Sequence, residues 1–228
     1  MSLSSTAETR RGFGISTREL AAVSGAAGLV VANVLLMAAF ALTPLAVVNR
    51  YLFAVPIIGV LVYGAALFVG ERIAERGVMG GNVLYAVVGM GVLQFAFALF
   101  GAGVLSWVPP ASQVTVLAIT GIGTAALIVL VAAYVFARSI DFDHWGRYGN
   151  FAFLGGILLV AVGTLATPVL LVAFVFIFVG FVLRLGWEIW RIRETDRSAS
   201  LAAIGMYVAI MGVFVHVLQV AVRMWMQD

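Results

Sequence analysis

Cysteine is absent from the 228 residues, which removes disulfides, cysteine-ligated zinc, iron–sulfur clusters and thiol catalysis together. Lysine is absent as well, since all 13 basic residues are arginine. Without lysine no Schiff base can form with retinal or pyridoxal phosphate, so a seven-helix retinal protein is excluded on chemical grounds. Charge of either sign is scarce, at 10% of residues, and hydrophobic residues make up 64%. A soluble domain carries about 25% charged and about 45–50% apolar residues, so a water-soluble fold is excluded. The net charge of +3 does not indicate nucleic acid, because the arginines are scattered over one loop after another with no basic stripe.

What is abundant is apolar sequence in long runs. A membrane-crossing helix needs about 20 apolar residues, so seven would use roughly 140–160 positions and leave no room for a soluble domain. The runs predict an all-α membrane protein with seven spans, near 20–43, 51–70, 80–105, 114–137, 149–166, 168–190 and 200–226. Residues 1–19 read as a cytoplasmic tail, and 20–228 as a single transmembrane domain. No compact apolar segment with a small-residue cleavage site is apparent, so the first run is expected to be a retained span. The separators are Thr43-Pro44 through Asn49-Arg50, a charged turn at Glu71–Arg76, the Trp107–Pro110 break, Arg138 to Arg147, a tight turn at Thr167-Pro168, and Arg191 to Arg197. Merging the fifth and sixth spans would make six. With the N-terminus inside, however, Arg10, Arg11, Arg18, Arg72, Arg76, Arg138, Arg147, Arg191, Arg193 and Arg197 fall on one side and only Arg50 and Arg223 on the other. That asymmetry favours an odd number of spans in the cell membrane, with a cytoplasmic N-terminus and an external C-terminus.

Glycine occurs 25 times, much of it within the spans. Helices in lipid associate through close packing of small residues, so these glycines are expected at helix contacts. Gly121-x-Gly123-x-x-Ala126 superficially matches a dinucleotide loop, but it lacks the preceding strand and the acidic ribose partner. The sequence calls for no cofactor.

Polar side chains at membrane depth are the place to look for function. They are Asn33, Gln94, Thr115, Thr120, Thr124, Thr164, Arg184, Glu188, His216, Gln219 and Arg223. The threonines are expected to bond their own helix carbonyls, and Asn33, Gln94 and Gln219 to bridge helices. Arg184 and Glu188, at i and i+4, share a helix face. Either they neutralise each other, or Arg184 snorkels and Glu188 reaches water near the helix end. His216, in the middle of the last span, is expected to be a neutral imidazole bonded to a neighbouring helix, because a single His makes a poor metal site. No second acid lies near Glu188 in sequence and there is no serine elbow, so an enzyme is not expected.

Three stretches in the second half carry a resemblance. Tyr134 to Asp143 runs from a span end into Arg138 and then Asp141-Phe142-Asp143. Leu185-Gly186-Trp187-Glu188-Ile189-Trp190-Arg191-Ile192 is similar to a sixth-helix motif of an aromatic residue and an acid before a basic–Ile pair. Met206 to Gln219 is similar to a last-helix motif Leu-Tyr-Leu-Asp-x-x-Asn-Leu-Phe. In order and spacing these resemble the Bax inhibitor-1 family, the transmembrane Bax-inhibitor-motif proteins. The resemblance implies a last helix surrounded by the other six and a pH-dependent calcium leak, gated by two Asp residues sharing a proton. Glu188 occupies the first acid position and Ala209 the second, so the pair is missing here, and Arg184 brings a positive charge beside the surviving acid.

The expected function is thus a Bax-inhibitor-type leak pathway for cations, calcium among them, with altered pH gating at Glu188, Arg184, His216 and Ala209. The alternative is a closed, non-conducting interaction or scaffold protein of the same fold. A third reading, a small-molecule or lipid-handling membrane protein, is permitted by the apolar spans but supported by no particular residue. The expected partners are the lipid bilayer and a cation, without nucleic acid.

Overall fold

A chain with so little polar sequence must satisfy its backbone internally when lipid surrounds it, and a helix does so within one segment. The computed structural model, which describes residues 16–138 and 140–227, is helical throughout its long segments. The elements are α1 (Thr17–Ala41), α2 (Leu45–Leu52), α3 (Pro56–Met79), α4 (Val83–Leu105), α5 (Pro110–Ala137), α6 (Asp143–Gly163), α7 (Thr167–Glu194) and α8 (Ala199–Trp225). Seven of these, all but α2, are long and apolar enough to cross a membrane.

The boundaries follow local chemistry. Ser16 caps α1 reciprocally: its hydroxyl accepts from Glu19 N at 3.2 Å and its own N–H donates to Glu19 Oε2 at 2.7 Å. Helix therefore begins before the expected end of the tail at residue 19. Pro56 and Pro110 stand in the first turns of α3 and α5, where a missing N–H leaves nothing unsatisfied. Asn82 and Ser198 cap α4 and α8.

Three expectations need correction. The segment 44–50 is the short helix α2 rather than a plain loop, because Asn49 has partners on both neighbours. Its Oδ1 accepts from the Tyr63 hydroxyl at 3.1 Å and its side chain packs against Gly103. The charged turn at Glu71–Arg76 is the last two turns of α3. Glu, Arg and Ala are strong helix formers, and the acids find partners on α7 and on the link that follows it. The chain reverses at Gly80-Gly81 instead, where Gly81 has φ 66°, a left-handed conformation that favours glycine. Likewise α7 runs on to Glu194, leaving only a short link before α8.

α8 is the centre of the molecule. In its apolar window 89% of residues are buried, against 22–33% in the other spans. Every residue from Ala202 to His216 is buried, Tyr207, Gly212 and Phe214 included. α1, α3, α4, α5 and α7 pack against it, and α6 lies mainly on α7. Glycines set the closest approaches: Gly77 and Gly89 put the α3 and α4 backbones side by side, and Gly149 and Gly156 do the same for α6 and α7. The outer faces carry exposed Leu, Val, Ile and Phe, as lipid-facing surfaces do.

Candidate functional site

Glu71 and Glu75, one turn apart near the end of α3, share a face. Opposite them α7 carries Arg184 and Glu188, and the link to α8 carries Arg197. Arg184 pairs with Glu71. Arg197 forks between two acids, with Nη2 2.8 Å from Glu75 Oε1 and Nη1 3.3 Å from Glu188 Oε2. Glu188 is only 3% exposed and packs against Gly205 of α8, where a Cβ would collide with its carboxylate. In place of a mutual Arg184–Glu188 pair, one of the two expected arrangements, there is one interhelical pair and one pair with the link. Their shared face looks toward α3 and the α7–α8 link, which supply an acid to one and a guanidinium to the other.

Arg18 of α1 holds this link from outside. Its guanidinium donates to the carbonyls of Thr195 (2.7 Å), Arg197 (3.2 Å) and Ile192 (2.9 Å), and lies 3.6 Å from Asp196. The Ile192 carbonyl, in the last turn of α7, is thereby satisfied by a cation, which the helix dipole also favours. Arg191 stacks over Trp187 at 4.3 Å.

A cavity of about 490 Å³ runs beside α8 between α3, α4, α6 and α7. One end lies at Phe53, Pro56 and Arg223, the other at Glu71, Arg184 and Asn150. The stretch of α3 along it, from Pro56 to Glu71, is about 22 Å long at the helical rise of 1.5 Å per residue. The walls between are mostly apolar, with Tyr63, His216 and Gln219 as polar interruptions. The Glu71–Arg184 pair thus borders that end of the cavity, and Glu188 lies one helical turn beyond Arg184.

The other expected site residues divide. Asn33 and Gln94 do bridge helices. Asn33 Nδ2 lies 2.9 Å from Gln94 O, 2.7 Å from Gln94 Oε1 and 3.0 Å from the Tyr207 hydroxyl, and Gln94 Nε2 donates to Leu29 O at 3.0 Å. Gln219 does not bridge: its amide donates within α8 to Val215 O at 3.3 Å, and the side chain borders the cavity. His216 is buried but bonds its own helix, Nδ1–H donating to Gly212 O at 2.8 Å. The expected partner on another helix is replaced by the rings of Phe174, Phe178 and Phe181, 4.9–5.7 Å away. Ala209 is fully buried one turn beyond Gly205. Thr120 and Thr164 bond carbonyls of their own helices, at 2.7 and 2.6 Å. Among the described residues no group of three or more His, Asp or Glu side chains is placed to hold a metal ion.

Sequence alone reads Glu71, Glu75 and Arg197 as loop charges, whereas the fold makes them part of one ion-pair network. The signal was present in the i, i+4 spacing of the two glutamates, which puts them on one face with Gly70 and Ala74, against the packing side of α3. Arg18 left no such signal, because its partners are backbone carbonyls. The chain matches no protein-family model, no curated protein and no solved structure.

Proposed function

We propose that this protein is a membrane leak pathway for cations, running beside the central helix and closed at its inner neck by the ion pairs that join α3 to α7 and to the α7–α8 link. The observation that carries the reading is where the cavity ends, on Glu71 paired with Arg184. Carboxylates at the end of an otherwise apolar passage offer a cation oxygen ligands as soon as the arginines move away. The resemblance to the Bax inhibitor-1 family supports the same reading, with a difference in parts: the acids facing Glu188 come from α3 instead of the last helix. Calcium prefers several free oxygen ligands, and here each acid already answers an arginine. Calcium affinity is accordingly low, and passage is limited by opening. The arginine asymmetry supports the cell membrane as the location, with the N-terminus and the neck on the cytoplasmic side.

The closed network also favours the second reading, a non-conducting scaffold, because none of Glu71, Glu75 and Glu188 is left without an arginine. Cation flux into proteoliposomes separates the two. The native protein should leak slowly and depend weakly on pH near neutrality. Arg184→Leu should raise flux roughly tenfold or more, since a charged hydrogen bond holding the neck shut contributes about 1.5–3 kcal/mol. Glu71→Gln should raise it less, because the pair is lost together with the negative charge. Ala209→Asp should add pH dependence, by placing a second carboxylate near Glu188 to compete for one proton. Flux at the level of empty liposomes from all four proteins would reject the leak pathway in favour of the scaffold.

A further inference from the structure

We propose that the cavity beside α8 is a binding site for a single-chain amphiphile with a carboxylate head, the chain lying along α3 and the head on Arg223. The volume of about 490 Å³ falls within the roughly 300–1,000 Å³ of small-molecule sites. The about 22 Å along α3 exceeds the roughly 15 Å that one chain spans in a leaflet, half of the about 30 Å hydrocarbon core, so it has room for one extended acyl chain with its head. The middle of the passage is walled by Val60, Leu67, Phe153, Ile157 and Ile177, which offer such a chain contact and offer water nothing.

Access from the membrane is built in. α3 packs closely on α4, and α6 on α7, whereas α3 and α6 touch far less. Both helices line the cavity, and Phe68 on the α3 side is 61% exposed. A ligand dissolved in the bilayer therefore reaches the cavity through the α3–α6 seam without crossing the ion-paired neck. Gly64 marks unfilled space on this wall: a Cβ added there would meet nothing within 4 Å.

The head group is chosen by charge. Arg223, in the last turn of α8, borders the outer end of the cavity with its guanidinium 5.4 Å over the Phe174 ring. It joins none of the ion pairs found among the described residues. A planar guanidinium held on an aromatic face presents its donors edgewise, the geometry that takes a carboxylate in two parallel hydrogen bonds. The inner end is unsuitable for an anion, because Arg184 there is already occupied by Glu71.

The test measures binding alone, so its outcome is independent of whether the pathway conducts. Radiolabelled palmitate, hexadecanol and hexadecyltrimethylammonium are titrated into the full chain in lipid nanodiscs. Palmitate should bind saturably and more tightly than the alcohol, and the cation should bind weakest. Arg223→Gln should weaken palmitate roughly tenfold or more and leave the alcohol unchanged. Gly64→Leu should remove saturable binding of both palmitate and alcohol while the melting temperature holds at or above the native value, since leucine fills open space and favours the helix. Equal binding of the three head groups, or palmitate binding indifferent to Arg223→Gln, would overturn the assignment of the head. Uptake that never saturates and ignores Gly64→Leu would reduce the cavity to passive partitioning and overturn the site itself.

Discussion

Gly212 sits where the central helix meets the ring of Phe181. A Cβ there would run into that ring, which cannot retreat freely: it packs edge-on against Phe153 at 4.7 Å and faces His216 at 5.6 Å. Gly91 of α4 has nothing within 4 Å of the same added atom. Gly212→Ala should therefore lose about 1–3 kcal/mol through overpacking, whereas Gly91→Ala should gain about 0.5–1 kcal/mol from helix propensity. Melting in detergent, followed by the monodisperse fraction, checks the contrast, and equal effects would show that the α8 surroundings yield more than this packing implies. The sequence marks both glycines as small residues in apolar runs. It cannot distinguish them, because the ring that separates the two cases comes from α7, thirty-odd positions away from Gly212 in the chain.

At the scale of elements, the α7–α8 link matters more than its length suggests. It carries Arg197, which joins Glu75 of α3 to Glu188 of α7, and it is clasped in turn by Arg18 of α1. Three helices, α1, α3 and α7, thus meet at one short segment through charged hydrogen bonds, each of the kind that contributes about 1.5–3 kcal/mol when well sheltered. Arg18 is partly exposed, which places its contribution at the lower end. Arg18→Gln should raise amide exchange of the residues around 192–198 by roughly tenfold, the equivalent of about 1.4 kcal/mol, and leave exchange within α4 unchanged. Exchange unaltered at the link would mean that Arg197 and its two acids hold the segment without the clasp. α3 extends past the expected charged turn for a related reason. Charges at Glu71–Arg76 look like a turn when lipid is assumed on every side, but two of them face an arginine partner instead.

The whole molecule has one axis, α8, and the scatter of its arginines predicts one direction across the membrane. Seven long spans with the short α2 between the first two put α1's start and α8's end on opposite faces. A reporter joined after the C-terminus should be active only outside the cell, and the same reporter in the Gly80–Gly81 turn only inside. The opposite pair of results would reverse the topology and, with it, the side on which the ion-paired neck stands.

Composition alone determined that the chain is helical and membrane-bound, since each span carries its own hydrophobic length and satisfies its own backbone without reference to any other. The chain also singled out Glu188, a rare charge within a long apolar run. Pairing was decided only in three dimensions. Arg184 has Glu188 one turn away in sequence, yet it takes Glu71 from α3, and Glu188 takes Arg197. A buried charge settles on whichever partner lies within reach and completes its hydrogen bonds, and in a bundle that partner is set by how helices pack. The cavity has the same origin. Its walls come from five helices, none of which encloses anything alone, so no single stretch of sequence could announce it.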